Sequence, residues 1–301
     1  MLHYRGKVFR PPFEENSLLI EATVGCSRDK CAFCSIYHDT PFAPSPMEDI
    51  ESDIRFIGRN RTLFKRVFLV GADPFCLPFN RLQRIGELVG EQLPRVETIG
   101  CYASVRNILA KTPEQLSELA KLGYARLNIG LETGLDDVLA FMDKGNTADE
   151  AREALARLNE AGIPFTLNLV MGLAGAGRGI ENAIASAEAF SKAAPTTVLI
   201  VCLAPVKTWP LAKDIESGRW VAPTEAEMAQ EIRAFVEHLD CKTTVNCSHD
   251  SDVIRFEGGL PADKEKMLAL LDDRIPKIDE RYARMMREMI HGGSLGKGAT
   301  A

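Results

Sequence analysis

Several things are scarce or missing in this sequence. No stretch reaches the roughly 18 consecutive apolar residues that a membrane-crossing helix needs, so no membrane partner is expected. The opening residues, Met1-Leu-His-Tyr-Arg-Gly-Lys7, hold no apolar signal core, which speaks against secretion. Basic charge is in short supply: 36 Lys and Arg stand against 42 Asp and Glu, a net charge of −6. Proteins that grip nucleic acid usually show the opposite balance, so no nucleic-acid partner is expected. The basic run Arg55, Arg59, Arg61, Lys65 and Arg66 reads as a solvated face where a helix ends and a strand begins. There is no internal repeat and no Lys-Ser/Thr after the glycines at 172, 175 and 177, which excludes a phosphate-binding P-loop. Eight cysteines without a secretory signal read as reduced thiols of a cytoplasmic protein rather than a disulfide framework.

What is present begins with Cys26, Cys31 and Cys34, three cysteines in nine residues at spacing C-x4-C-x2-C. They follow the apolar run Leu18 to Gly25. Three thiolates leave one position open on a metal or cluster that takes four ligands. The next cysteine is Cys76, and His38 is the one nearby residue that could close a zinc site. Three readings follow: an iron–sulfur cluster with an open iron, a zinc site closed by His38, or buried thiols grouped by chance.

Gly25-Cys26-x4-Cys31-x-Phe33-Cys34 resembles the cluster loop of radical S-adenosylmethionine (SAM) enzymes. The first gap is one residue longer than their commonest C-x3-C-x2-C spacing, as in a subset of the superfamily. The resemblance implies a [4Fe–4S] cluster on Cys26, Cys31 and Cys34, with SAM chelating the open iron. It also implies reductive cleavage of SAM to a 5′-deoxyadenosyl radical that abstracts hydrogen from a small-molecule substrate, fed by a one-electron donor such as flavodoxin or ferredoxin. The cofactor carries such chemistry, and the protein supplies position and shielding. Other readings stand beside it: a non-catalytic iron–sulfur or zinc sensor or scaffold, cleavage of a different C–S bond to a 3-amino-3-carboxypropyl radical, or a tetrapyrrole substrate.

Along the chain, residues 1–17 read as an irregular arm, with Pro11-Pro12 blocking regular structure. Strands are expected at 18–25, 66–71, 96–103, 125–131, 163–172 and 196–203, alternating with helices at 46–57, 80–93 (capped by Asn80), 112–123, 135–142, 147–161 and 179–193. Alternation at about 30-residue intervals requires right-handed crossovers and a parallel sheet. The fold class is therefore α/β, and the resemblance implies a partial (β/α)6 TIM barrel as a radical SAM core at 18–205. A small α/β extension follows at 206–290: a loop at 205–210, a helix at 224–239, a strand at 242–247 and helix from 261 broken at Pro276. The Gly-rich residues 291–301 read as a disordered tail.

In parallel α/β folds ligands sit at the C-terminal strand ends, where the cysteine loop falls. The SAM candidates lie there too, on positions that match the family. Gly71-Ala72-Asp73 would offer acceptors to the SAM ammonium, Phe33 precedes the last cysteine, and Ser104 with Arg106 would hold the SAM carboxylate. Glu132, in Gly130-Leu-Glu-Thr-Gly134, would accept from the ribose or the amine, with Lys144 nearby as a structural residue. Asn168 is polar inside an apolar strand, and Val170, Met171, Gly172 and Leu173 would pack the adenine. Cys101 and Cys202 read as core thiols and are the hydrogen-donor candidates. Cys241-x5-Cys247-x-His249 is a weak metal pattern. Asn246, Ser248 and His249, with Glu257 to Lys264, resemble small proteins filed beside oxygen-independent coproporphyrinogen oxidases, where they would meet substrate or cap a strand end. Nothing points to an auxiliary cluster domain, and the residues ahead of the first strand are too few for a cobalamin domain.

Overall fold

The computed structural model describes residues 2–59, 63–204 and 209–294. Arg61 of the basic run, most of the loop at 205–210 and the end of the expected tail lie outside them. The chain divides into two units: Met1–Asp29, Tyr37–Gly130 and Glu153–Phe165 form the first, and Lys30–Ile36, Leu131–Arg152 and Thr166–Ala301 the second.

The first unit opens with β1 (Leu18–Glu21), then β2 (Thr23–Val24) and β3 (Ala43–Pro44), which pair antiparallel around the cysteine loop. Helix α1 (Met47–Arg59) buries Ile50, Ile54 and Ile57, one stripe at helical spacing. Strand β4 (Arg66–Val70) pairs parallel with β1 and is buried almost throughout, as its unbroken apolar run requires. Helix α2 (Phe79–Gln92) is entered from Pro78, so Asn80 lies in its first turn instead of capping it. Strand β5 (Thr98–Ala103) pairs parallel with β4. It runs into the short α3 (Val105–Leu109), which Ser104 caps. Helix α4 (Pro113–Lys121) starts with a reciprocal cap between Thr112 and Gln115 and with Pro113 in its first turn. Strand β6 (Leu127–Glu132) pairs parallel with β5 and carries the chain from the first unit into the second.

After β6 come α5 (Asp136–Phe141) and α6 (Ala148–Ala161), whose second half belongs to the first unit. Strand β7 (Phe165–Met171), α7 (Gly179–Phe190) and β8 (Thr197–Cys202) follow, β8 parallel to β7. Beyond the core run α8 (Leu211–Glu216) and α9 (Glu225–His238), whose Thr224 and Glu227 form a second reciprocal cap. Strands β9 (Thr243–Cys247) and β10 (Phe256–Leu260) complete the set with α10 (Lys264–Arg274) and α11 (Glu280–Ser294).

The architecture is mixed α/β with a mostly parallel sheet of eight strands, in the order β1-β4-β5-β6-β7-β8-β9-β10. Six of these are the expected core strands. The other two extend the sheet: β9 pairs parallel with β8, and β10 antiparallel with β9. The Phe-Glu-Gly-Gly-Leu sequence of β10 carries no strand signal, because glycine is depleted in strands. Its Gly258 is required by packing: a Cβ there would stand 2.8 Å from Met267 Sδ of α10. At the chain's end, helix α11 reaches Ser294 where irregular structure was expected from His291.

Candidate functional site

In the first unit the site residues gather where β1, β4 and β5 end. Gly25 has a left-handed backbone (φ +70), and a Cβ on it would lie 2.4 Å from Thr40 O, so the loop entrance admits only glycine. The Cys26 sulfur accepts from Asp29 N at 3.4 Å. His38 Nε2 lies 3.4 Å from Asp29 Oδ1. Gly71 (φ +121) is equally constrained, its Cβ position falling 2.1 Å from Thr23 Oγ1. The turn it makes carries Ala72 and then Asp73, which is buried.

Asp73 is the hub of this half. Ser27 Oγ donates to its Oδ2 at 3.1 Å, and Asn107 Nδ2 donates to the same oxygen. Its Oδ1 is buried with no hydrogen-bond partner among the described residues. Burial pushes the carboxyl up to about 6 against the pull of Ser27, Ser104 and Asn107. Ser104 Oγ accepts from Asn107 N at 3.4 Å, and Arg106 Nη2 reaches Ser27 Oγ at 3.4 Å. Asp73, Ser104 and Arg106 are therefore brought together around Ser27. Sequence reasoning missed Asn107 and Lys111. Lys111 is buried beneath them, its Nζ donating to Phe75 O at 2.7 Å and Asn107 O at 3.1 Å. Asn128 on β6 was also missed: it is fully buried, and its Oδ1 has no partner among the described residues. A polar residue inside the apolar run of a strand is the signal that would have found it.

The second unit holds Cys31 and Cys34, joined by a turn in which Cys34 N donates to Cys31 O at 3.1 Å. The segment is anchored on both sides: Ala32 N donates to Met142 O, and Leu211 N to Ala32 O, each at 2.9 Å. Ala32 and Phe33 pack on a buried apolar cluster that includes Val138, Met142, Leu173, Leu211 and Trp220. Glu132 has a left-handed backbone (φ +67), rare for a side chain with a Cβ and the kind of local strain that concentrates at functional sites. Its Oε1 lies 2.5 Å from Lys144 Nζ, which also stands 5.9 Å from the Phe33 ring centre. Burial lowers the Lys144 ammonium, but Glu132 and the thiols of Cys31 and Cys34 outweigh it and the net shift is upward.

In the middle of β7, Asn168 is half-buried and is not hydrogen-bonded to the other candidates among the described residues. Met171 and Leu173 are buried. Two backbone groups of this segment are engaged within the protein: Gly172 N donates to Glu231 Oε2 at 2.8 Å, and Leu173 O accepts from Trp220 Nε1 at 3.2 Å. Cys101 and Cys202 are buried core thiols, and burial holds both protonated, well above the usual thiol range. Farther along, Asn246 bonds Glu257, Ser248 Oγ donates to Asn246 Oδ1 at 2.7 Å, and His249 N donates to Asp252 Oδ2 at 2.9 Å. These contacts are those of a capped strand end. Among the described residues no three His, Cys, Asp or Glu side chains are gathered to hold a metal ion, at Cys241, Cys247 and His249 or elsewhere. No described helix is long and apolar enough to cross a membrane.

Comparison with known proteins supplies the wider frame. No curated protein matches the chain. Among solved structures, the cobalamin- and [4Fe–4S]-bound radical SAM methyltransferase TsrM from Kitasatospora setae superposes with a TM-score of 0.56 at 17% identity, covering 67% of this chain and 39% of its own. Coproporphyrinogen III oxidase HemN from Escherichia coli, a radical SAM enzyme, gives 0.55 at 16% identity, covering 73% and 52%. Methylornithine synthase PylB gives 0.51 at 18%, covering 75% and 63%. The chain thus spans less than two thirds of each of these proteins, and at such identity the likeness shows the fold alone. The sequence itself matches the radical SAM superfamily model over residues 20–203, more than half of the chain. The chain belongs to the radical SAM superfamily.

Proposed function

We propose that the protein is a cytoplasmic radical SAM enzyme in which Cys26, Cys31 and Cys34 hold a [4Fe–4S] cluster and the strand ends hold SAM. The observation that carries this reading is the three-thiol spacing, C-x4-C-x2-C, inside the matched region. The donor chemistry suits a cluster: none of the three cysteines is in a disulfide and each is half-buried, although among the described residues the three side chains are not already gathered as a metal site. Three sulfurs suit an iron–sulfur cluster with one iron left for another ligand. When bound, cluster and SAM together supply a 5′-deoxyadenosyl radical through one-electron reduction by a donor such as flavodoxin or ferredoxin.

The chain's own residues have separable tasks. Asp73 presents a bare buried oxygen, the acceptor that an ammonium group requires. Arg106 offers a guanidinium for a carboxylate, steadied by Ser27, while Ser104 fixes the turn through Asn107. Glu132 is held by Lys144 and remains an acceptor for hydroxyl groups. Asn168 offers a polar contact for the ribose. Phe33, Met171 and Leu173 contribute apolar surface that excludes water, and Gly71, Ala72 and Gly172 let backbone approach closely. Cys101 and Cys202 keep their S–H protons, as hydrogen-atom donation requires. The substrate is a small organic molecule; the acidic balance opposes a nucleic acid.

Anaerobic reconstitution tests the reading. Iron and sulfide should load to the [4Fe–4S] stoichiometry, and SAM should change the electron spin resonance spectrum of the reduced cluster. Full iron loading after replacing all three cysteines by alanine, or a sample that takes up zinc alone, would overturn it.

A further inference from the structure

Glu231 is a buried carboxylate that neither the cysteine loop nor the SAM candidates explain. It sits on α9, and among the described residues it forms no ion pair. Each of its oxygens accepts one N–H. Gly172 N, just past β7, donates to Oε2 at 2.8 Å, and Asn182 Nδ2, on α7, donates to Oε1 at 2.6 Å. Asn182 is buried too, and its Oδ1 accepts from the Thr133 hydroxyl, whose oxygen accepts from Leu135 N at 3.0 Å. Thr133 directly follows Glu132, the residue with the left-handed backbone. The chain of bonds therefore runs from the end of β6, through α7 and α9, to the end of β7.

The packing around it leaves little slack. Gly172 is itself left-handed (φ +89), and a Cβ on it would lie 2.8 Å from Met228 Sδ, one turn before Glu231 on α9. A Cβ on Gly179 would lie 3.1 Å from Glu231 Cβ, so the start of α7 is close against α9. Gly134 N donates to Ser186 Oγ at 2.8 Å, a second tie from the β6 end to α7. Burying a carboxylate without a cation is costly, and such a group persists where its hydrogen bonds fix something.

We infer that Asn182 and Glu231 form a positioning relay that locks the Glu132–Thr133 and Gly172–Leu173 strand ends in one arrangement and so sets the affinity for SAM. This rests on the proposed SAM site for its ligand, but the relay itself is defined by hydrogen-bond polarity. Glu231 accepts twice, and Asn182 accepts from Thr133 and donates to Glu231. That polarity makes a swap informative. Asn182→Asp alone faces one buried carboxylate with another. Glu231→Gln alone places an N–H against the N–H of Asn182. With both changes, the carboxylate now at position 182 accepts from Thr133 and from the amide now at position 231, and that amide's oxygen accepts from Gly172 N. Every bond is restored with the charge moved to α7.

The experiment uses the full chain, reconstituted anaerobically, as wild type, both single variants and the double variant. Unfolding midpoint, hydrogen exchange at the Gly172 amide and equilibrium SAM binding are measured on each. Neighbours in one hydrogen-bond network show non-additive energies, so the singles should each weaken SAM binding by about tenfold or more and the double should return to within about threefold of wild type. Gly172 exchange should speed up in the singles and slow again in the double. Additive losses in the double variant would overturn the relay. So would single variants that lose stability while SAM affinity stays unchanged, because the network would then be structural only. If wild type loads its cluster yet binds no SAM, the proposed function falls, while the stability and exchange measurements still decide whether the lock exists.

Discussion

Asp73 in the first unit and Glu231 in the second are both buried acids at strand ends, yet they are finished differently. Burial raises both, Asp73 to about 6 and Glu231 to about 7. Ser27 and Asn107 both donate to Oδ2 of Asp73, and Oδ1 has no hydrogen-bond partner among the described residues. The donors around Glu231 are shared, one to each oxygen. A carboxylate with a bare buried oxygen is an incomplete structure, stable only if a ligand or a proton completes it. A carboxylate with both oxygens engaged is complete without a ligand. Glu132 is a third case, completed by an ion pair with Lys144, whereas among the described residues the other two form no ion pair. The contrast separates acids that meet a ligand from acids that hold the backbone in place.

The largest expected effect comes from breaking the third case. Lys144→Met leaves Glu132 nearly buried and unpaired, and removing one partner of a buried pair costs about 3–5 kcal/mol. Adding Glu132→Gln to the same chain should recover most of that loss in a denaturant unfolding series; a double variant no better than Lys144→Met would mean the pair is not what holds this strand end. Next comes Glu231→Ala, which strands Gly172 N and Asn182 Nδ2. Two unsatisfied buried donors should cost about 2–4 kcal/mol in the same assay. Smaller in stability, but larger for ligand, is Asp73→Asn. It keeps the shape and removes the charge, so the fold should lose under about 1 kcal/mol while SAM binding falls by about tenfold or more. If Asp73→Asn instead unfolds the protein and leaves SAM binding intact, the two acids have the same role and the contrast fails.

Much of the core was legible because its signals are local. Apolar runs such as Val67 to Val70 and the 30-residue alternation gave the parallel strands, and Thr112-Pro113 marked a helix start. What was not legible depends on residues distant in sequence. Asn182 and Glu231 lie 49 positions apart, and each alone looks like an ordinary helix-surface residue. Lys144 was read as structural; its partnership with Glu132 and its place over Phe33 need the fold to be seen. Strand β10 was hidden by its two glycines, the first of which, Gly258, is required by the closeness of α10. The helix start at Phe79 escaped because Pro78 took the place that Asn80 was expected to fill. The cysteine spacing and the strand-end positions of Asp73, Ser104 and Glu132 were readable, whereas which oxygen of an acid is already engaged was not.

The smallest effect sharpens the comparison through pH. In the unfolded chain the two acids release protons near their ordinary values, 3.8 for Asp73 and 4.5 for Glu231. In the folded chain they keep them to about 6 and about 7. Between those limits the folded state binds more protons than the unfolded state. The stabilising contribution is therefore fully present below the unfolded values and is lost as pH rises through the folded ones, with a slope of at most about 1.4 kcal/mol per pH unit for each proton. Cys202, whose thiol feels the charge of Glu231, stays protonated across this range because burial raises it far more. Urea unfolding midpoints measured from pH 5 to pH 8 should thus show wild type losing stability relative to Glu231→Gln as pH rises toward about 7. The corresponding loss relative to Asp73→Asn should be complete earlier, near about 6. SAM should abolish only the second of these differences, since an ammonium on the bare oxygen favours the ionised Asp73 and leaves Glu231 as it was. A difference curve that is flat for both variants would mean that neither acid carries a proton in the folded protein, and one that SAM flattens for Glu231→Gln instead would reverse the roles assigned to the two acids.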